Sequence, residues 1–370
     1  MNDRALNRAL LARQGLLEPL GLELRDAVEA IGALQAQHWP AVAEALATRV
    51  RGFEPAQLYR ALDNGDLVVG TLIRRTLHLV SAREHPDYAA VAAASGVENW
   101  WRATTTPPDV TALRRDLRAF ADRPRTGDDL AAFLEAHHGQ LFDEAELTAQ
   151  RAYNWRAFYT SSTLVRVPVD GVWSARSPSA YQAAPDGGAR DGAARDPDAA
   201  FDAAVRCHLR AFGPAAADDV ATWLGCAVPP VRRALDRIEV ETLTTDAGRT
   251  LHDLPGAPRP DPDVPVPVRL LPAFDSVLLA YAHKHRQRIL PDEHRDAVYA
   301  RANLRIRPAL LVDGFVAGVW TIDAMRRTAR LTVTPFGRLD KATRAAVAAE
   351  AERLVRVLHP AVPAVDVAVQ

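Results

Sequence analysis

Gln35 and Gln37 stand on either side of Ala36 and are followed at once by His38, Trp39 and Pro40. Side chains two residues apart share a direction only where the backbone is extended, so an extended corner here could bring two neutral amides onto one small site. Each amide offers an oxygen that accepts from water and an NH2 that donates to a phosphate or sugar oxygen. Such a pair can hold and aim a water molecule but is a weak base. The plain alternative is that both glutamines are solvated or cap backbone groups at a bend.

The neighbouring elements would have to create that corner. Leu24, Val28, Ile31 and Leu34 recur at steps of three and four, which predicts a helix over 22–34. Pro40 pushes Trp39 out of helical geometry and suits the first turn of a second helix over 41–51. A short helix over 55–62 follows, with Asn64-Gly65 as its stop, and then two strands, 67–70 and 76–80. Several helices followed by a hairpin is the order of a winged helix. In the second strand Leu77 and Leu79 share one face and leave His78 on the other, where it reads as a packed or backbone-bonded histidine.

The pattern repeats. Helices are expected over 109–121, 128–137 and 149–160, and then a hairpin of 164–167 with 172–174 that turns at Asp170-Gly171. A third round carries helices over 198–212, 218–224 and 231–238 and strands near 240–244 and 250–254. Residues 128–134 and 218–224 match in acidic first turn and apolar spacing, as a repeated helix-turn-helix would. Closely spaced prolines make 255–267 a stiff linker. Beyond it the chain reads as strands at 268–271, 276–281, 309–312, 315–321 and 328–334, a helix over 342–358 and a last strand at 365–369.

Composition excludes several classes. The 370 residues, 48% of them hydrophobic, suffice for two to four units. No run reaches the length of a membrane span, and the first twenty residues mix Arg, Asn, Asp and Gln with leucine, unlike a secretory signal. Cys207 and Cys226 make no metal-ligand cluster, which fits a reduced cytoplasm; neither metal nor cofactor is expected. Net charge is −1, so a nucleic-acid surface would have to be a local concentration of arginine. Two stretches qualify: His283-Lys284-His285-Arg286-Gln287-Arg288, and Arg305 with Arg307, which alternation places on one face opposite Leu304 and Ile306. An ordinary solvated strand face is the competing reading for the second.

Five stretches together resemble the AlkZ type of winged-helix DNA glycosylases: Leu34-Gln35-Ala36-Gln37-His38, Arg74-Arg75-Thr76-Leu77-His78-Leu79-Val80, Leu271-Pro272-Ala273-Phe274-Asp275, the run from Leu311 to Trp320 around Asp313-Gly314, and Glu352-Arg353-Leu354. They span nearly the whole chain in order. The resemblance implies an α+β fold of three tandem winged-helix units and a C-terminal β-barrel-like domain, with units at 1–95, 96–182 and 197–254, linkers at 183–196 and 255–267, and the last domain at 268–370. It implies Gln35 and Gln37 as the catalytic pair, in the Gln-x-Gln branch of the family, which is associated with bulky N7-alkylguanine adducts and crosslinks made by DNA-alkylating antibiotics. The partner would be double-stranded DNA carrying alkylated guanine, met by a monomer in the cytoplasm. His38, Arg75, His78, Lys284, Arg286, Arg288, Arg305 and Arg307 are the expected DNA-contacting set. Two other readings carry different expectations: a winged-helix transcription regulator needs an operator and is indifferent to Gln35 and Gln37, and a non-catalytic lesion-binding protein binds without releasing base.

Overall fold

The computed structural model describes residues 1–95, 111–185, 195–300, 305–325 and 327–370. Helix α1 (Asp3–Arg13) starts where the Asn2 side chain accepts from the Ala5 amide at 2.8 Å. Helix α2 (Leu24–Ile31) stops at Gly32, whose φ of 81° turns the chain out into strand β1 (Leu34–Gln35). A Cβ on Gly32 would lie 3.0 Å from Phe212, so only glycine lets the chain turn this close to that ring. The helix expected over 22–34 is therefore cut short, and its last residues become the extended corner. Helix α3 (Pro40–Arg49) has its proline at the first turn, but Trp39 stays in helical geometry (φ −53°, ψ −43°), against expectation; α4 (Pro55–Asp63) opens where the Glu54 amide donates to Gln57 Oε1 at 2.9 Å.

Strands β2 (Leu67–Thr71) and β3 (Leu77–Ser81) form the expected hairpin, and β1 lies against β3 with Gln35 opposite His78. Helices α5 (His85–Ala94), α6 (Thr111–Phe120), α7 (Gly127–His138), α8 (Glu144–Ala152) and α9 (Arg156–Tyr159) follow, with the two-residue β4 (Arg125–Thr126) before α7. The helix expected over 149–160 is divided because Asn154 and Trp155 take positive φ, 47° and 61°. Residues 109 and 110 of the expected 109–121 helix lie outside the described residues, as does most of the 183–196 linker.

Strand β5 (Leu164–Val167) does not pair with 172–174, as the turn signal led us to expect; its partner is β6 (Ala180–Ala183). The segment between them is diverted onto the glutamine corner. Trp173 stacks on Trp39 with ring centroids 5.8 Å apart, and Trp39 Nε1 donates to the Ser174 carbonyl at 3.1 Å. Strand β2 also pairs with β5, so β1-β3-β2-β5-β6-β4 is one six-stranded sheet joining the first two stretches of chain.

Helices α10 (Pro197–Phe212), α11 (Ala217–Leu224) and α12 (Val228–Arg237) lead into a separate hairpin of β7 (Glu241–Thr244) and β8 (Thr250–Asp253), close to the expected bounds. Arg13 locks this region to α1 through two bonds to Asp253, at 2.7 and 2.8 Å, with both side chains buried.

The C-terminal region contains β9 (Arg269–Leu271), α13 (Arg295–Val298), the small hairpin β10 (Tyr299–Ala300) with β11 (Arg305–Ile306), then β12 (Ala309–Val312), β13 (Phe315–Ala324), β14 (Thr328–Pro335), α14 (Lys341–Leu358) and β15 (Ala364–Val369). The strand expected over 276–281 is instead a single tight turn, Ser276–Leu278, capped by Asp275. Among the described residues the barrel is also corrected to an open sheet, ordered β15-β14-β13-β12-β9. Helix α14 packs against both edge strands, β15 and β9. The apolar face of α14, including Val347, Ala351 and Leu354, joins α2, α3 and α4 in one continuous core, so the N-terminal corner and the C-terminal sheet are a single packed body.

Candidate active site

Gln35 ends strand β1 and is 8% exposed, whereas Gln37, just beyond the strand, is exposed. The ladder holds the corner open: Ala36 N donates to the Leu77 carbonyl at 2.8 Å. On this extended frame the two side chains meet, with Gln35 Nε2 donating to Gln37 Oε1 at 2.9 Å. Gln35 is thus a buried support and Gln37 the amide presented to solvent. That arrangement leaves Gln37 one acceptor position on its oxygen and its own NH2 for a bound molecule.

The segment 271–275 buttresses the corner from below. Ser276 Oγ donates to the Ala33 carbonyl at 2.9 Å, and Asp275 receives Arg49 Nη2 at 2.8 Å in a pair that is almost wholly buried. Phe274 N donates to Ile306 O at 3.3 Å, so the same segment also seats the β10–β11 hairpin.

The expected DNA-contacting residues divide. His38 is exposed beside Gln37, and Arg305 lies near enough that its cation, after partial burial, helps hold the imidazole below its ordinary pKa. Arg75, Lys284, Arg305 and Arg307 are likewise exposed. His78, Arg286 and Arg288 are not surface groups. His78 is fully buried; its Nδ1 pairs with the Thr76 carbonyl at 2.9 Å, its ring meets Trp223 edge-on, and burial pushes its pKa down to about 3, assisted by Arg74. Arg286 donates to the Tyr281 carbonyl at 3.0 Å and to Tyr299 Oη at 2.9 Å. Arg288 donates to the Pro214 carbonyl at 2.8 Å and lies over the Tyr281 ring. All three are structural fasteners, and the packed histidine read from the strand alternation is what the structure shows.

Sequence reasoning gave no role to four residues in or near the corner. Trp39 and Trp173 tie the 168–179 loop to the corner, and the only signal was an aromatic within reach of each turn. Asp275 appeared as part of a family-like string with no role. Glu44, on α3, is 5% exposed, and burial alone raises its carboxyl to about 7; the signal was an acid in the apolar stretch Ala41-Val42-Ala43-Glu44-Ala45-Leu46. Among the described residues no three His, Cys, Asp or Glu side chains are grouped to hold a metal, and no helix is long and apolar enough to cross a membrane.

Residues 28–357 match the family model for AlkZ-like DNA glycosylases. The interstrand DNA cross-link repair glycosylase of Streptomyces sahachiroi is 28% identical over 351 residues, with 90% of each chain covered. The solved structure of the DNA glycosylase AlkZ from the same organism matches the full length of both chains with a TM-score of 0.81 at 24% identity, a likeness of fold.

Proposed function

Because the chain belongs to the AlkZ-like DNA glycosylases, we propose that its paired amides, Gln35 and Gln37, form the centre that releases cationic N7-alkylguanine from DNA. Alkylation at N7 makes guanine a positively charged leaving group, so the glycosidic bond breaks without a general acid. The remaining work is to stabilise an oxocarbenium-like sugar and place a water at its anomeric carbon. The observation that carries this reading is the 2.9 Å amide contact, which fixes Gln37 from behind while leaving it exposed. Gln37 aims the water; Gln35 holds Gln37. An amide is a feeble base, so unmodified bases with poorer leaving groups remain intact.

The exposed corner suits lesions too bulky to be swung into a closed pocket, including crosslinks of the kind named for the Streptomyces relative. His38, Arg75, Lys284, Arg305 and Arg307 are the exposed groups that would meet the DNA backbone. The same proposal takes the three helix-and-hairpin stretches as tandem winged helices, at 1–95, 96–182 and 197–254, and the protein as a cytoplasmic monomer on the nucleoid.

The test is base release from a duplex carrying one N7-methylguanine and from one carrying a bulky N7 adduct, read as strand cleavage after alkali. Wild type should release both. Gln37→Ala should lose at least about 100-fold in single-turnover rate at nearly unchanged DNA affinity. Wild-type rates in the mutant would remove Gln37 from the chemistry.

A further inference from the structure

Below the paired amides lies a small cleft lined by Gln35, Ala41, Ala45 and the 272–276 segment. The space open to a water's centre is about 10 Å³, close to what a single molecule needs. Asp275, which is 3% exposed, lines the same cleft. Its Oδ1 is taken by Arg49 Nη2 at 2.8 Å and by the Val277 amide at 3.0 Å, while its Oδ2 is buried without a protein donor. Gln35 lines the same cleft; its NH2 is given to Gln37, which leaves its amide oxygen as the acceptor it offers to a bound molecule. The buried, donorless Asp275 Oδ2 and the Gln35 side chain thus line one space with room for one molecule, and a water held there has two protons to give.

We infer that Asp275 is a positioning residue of the active site: one ordered water donates to Asp275 Oδ2 and to Gln35 Oε1, and so fixes which end of the Gln35 amide faces Gln37. A Gln35 side chain turned end for end would set its oxygen against Gln37 Oε1, two acceptors face to face, and Gln37 would rotate away from its aim. The buried Arg49–Asp275 pair, anchored in turn by Arg49 Nε to Gln14 Oε1 at 3.3 Å, holds the carboxylate still while the water relays its position to Gln35. This inference rests on the paired-amide reading and adds to it the group that orients the pair.

A crystal structure of the full chain decides it directly. One water within about 3.2 Å of both Asp275 Oδ2 and Gln35 Oε1 is expected. A direct side-chain contact, or an Oδ2 served by another protein donor, overturns the inference. Single-turnover release from an N7-methylguanine duplex gives the second readout. Asp275→Asn still offers the water a partner, since its NH2 can donate to the water while the water donates to Gln35, and it should stay within about tenfold of wild type. Asp275→Ala should fall about 100-fold at unchanged DNA affinity. Arg49→Met frees the carboxylate that the pair holds still, so it should also lose release per folded molecule, but less than Asp275→Ala, because Oδ2 and the cleft remain. Equal losses in Arg49→Met and Asp275→Ala would make Asp275 a structural partner only. Should these variants not fold, the crystallographic water stands as the deciding result. Full activity in Gln37→Ala would sink the paired-amide reading, whereas an inactive Gln37→Ala with no bridging water would sink the bridge alone.

Discussion

Arg286 with Arg288 and Arg305 with Arg307 look alike in sequence, each a pair two residues apart beside an apolar run, yet the fold turns the first pair inward and the second outward. The backbone around them explains the difference. Residues 283–288 lie in tight irregular turns next to loops with free carbonyls, and each guanidinium turns in to serve one of them, Arg286 the Tyr281 oxygen and Arg288 the Pro214 oxygen. Arg305 and Arg307 flank buried Ile306 at a strand whose backbone is already paired, so alternation sends both outward. Spacing decides that two side chains share a face. It does not decide whether that face is wet.

The contrast can be broken most forcefully at Arg288. Its removal leaves the Pro214 carbonyl without a donor and takes a cation from beside buried Asp219, so Arg288→Ala should lower stability by about 3 kcal/mol in urea unfolding. A loss below about 1 kcal/mol would show that the inward pair is dispensable and the contrast superficial.

Glu44 sharpens the comparison, since it is buried and, among the described residues, has no cation in salt-bridge reach. Its carboxyl sits at about 7 in the folded protein against an ordinary 4.5. Below about 4.5 both folded and unfolded chains carry the proton, and between there and about 7 only the folded chain does. The Glu44 contribution to stability should therefore fall as pH rises through this window and level off above it, which the difference between wild type and Glu44→Gln isolates. Glu44→Gln should flatten that slope and be more stable than wild type at pH 8 by up to about 3 kcal/mol. Identical pH profiles would mean the carboxyl finds water.

Buried His78 and His208 give the opposite sign. Their pKa values, about 3 and about 4 against an ordinary 6.5, make stability fall as pH drops below 6.5. In the Glu44→Gln background, where the opposing carboxyl is gone, an unfolding midpoint measured from pH 7 to pH 4 should decline steadily, and a flat profile would show that these rings protonate in place.

The smallest effect on stability belongs to the outward pair. Arg305→Ala with Arg307→Ala should shift the unfolding free energy by no more than about 0.5 kcal/mol. The same double variant should weaken DNA binding and reduce the slope of log affinity against log salt by about 0.9 for each phosphate that is no longer neutralised. An unchanged slope would place DNA elsewhere.

Much of the architecture was legible beforehand because local rules and tertiary packing agreed. Pro40 and Asn64-Gly65 marked helix ends, and the helices and strands of 197–254 fell within a few residues of expectation. The failures came where packing overruled a local signal. Asp170-Gly171 does turn the chain, but Trp173 was worth more stacked on Trp39 than in a ladder with β5, so the paired strand begins later. Ser276–Tyr281 has strand composition, yet Asp275 caps it into a turn because Arg49 waits to pair with that carboxylate. The C-terminal sheet stays open, with an amphipathic helix packed across its strands, an arrangement that strand composition alone does not distinguish from a barrel.

At the candidate site the division is similar. The residue types and the i, i+2 spacing of Gln35 and Gln37 were determined by the sequence alone, since amide chemistry and strand alternation are local properties, whereas Pro40 did not bend the preceding residue out of helical geometry. Which amide is buried and which meets solvent, and that Asp275, more than two hundred positions away, lies beneath them, depended on Gly32 turning against Phe212 and on the C-terminal sheet packing under α3. Those are contacts between distant segments, and their energies arise only when the whole core has closed.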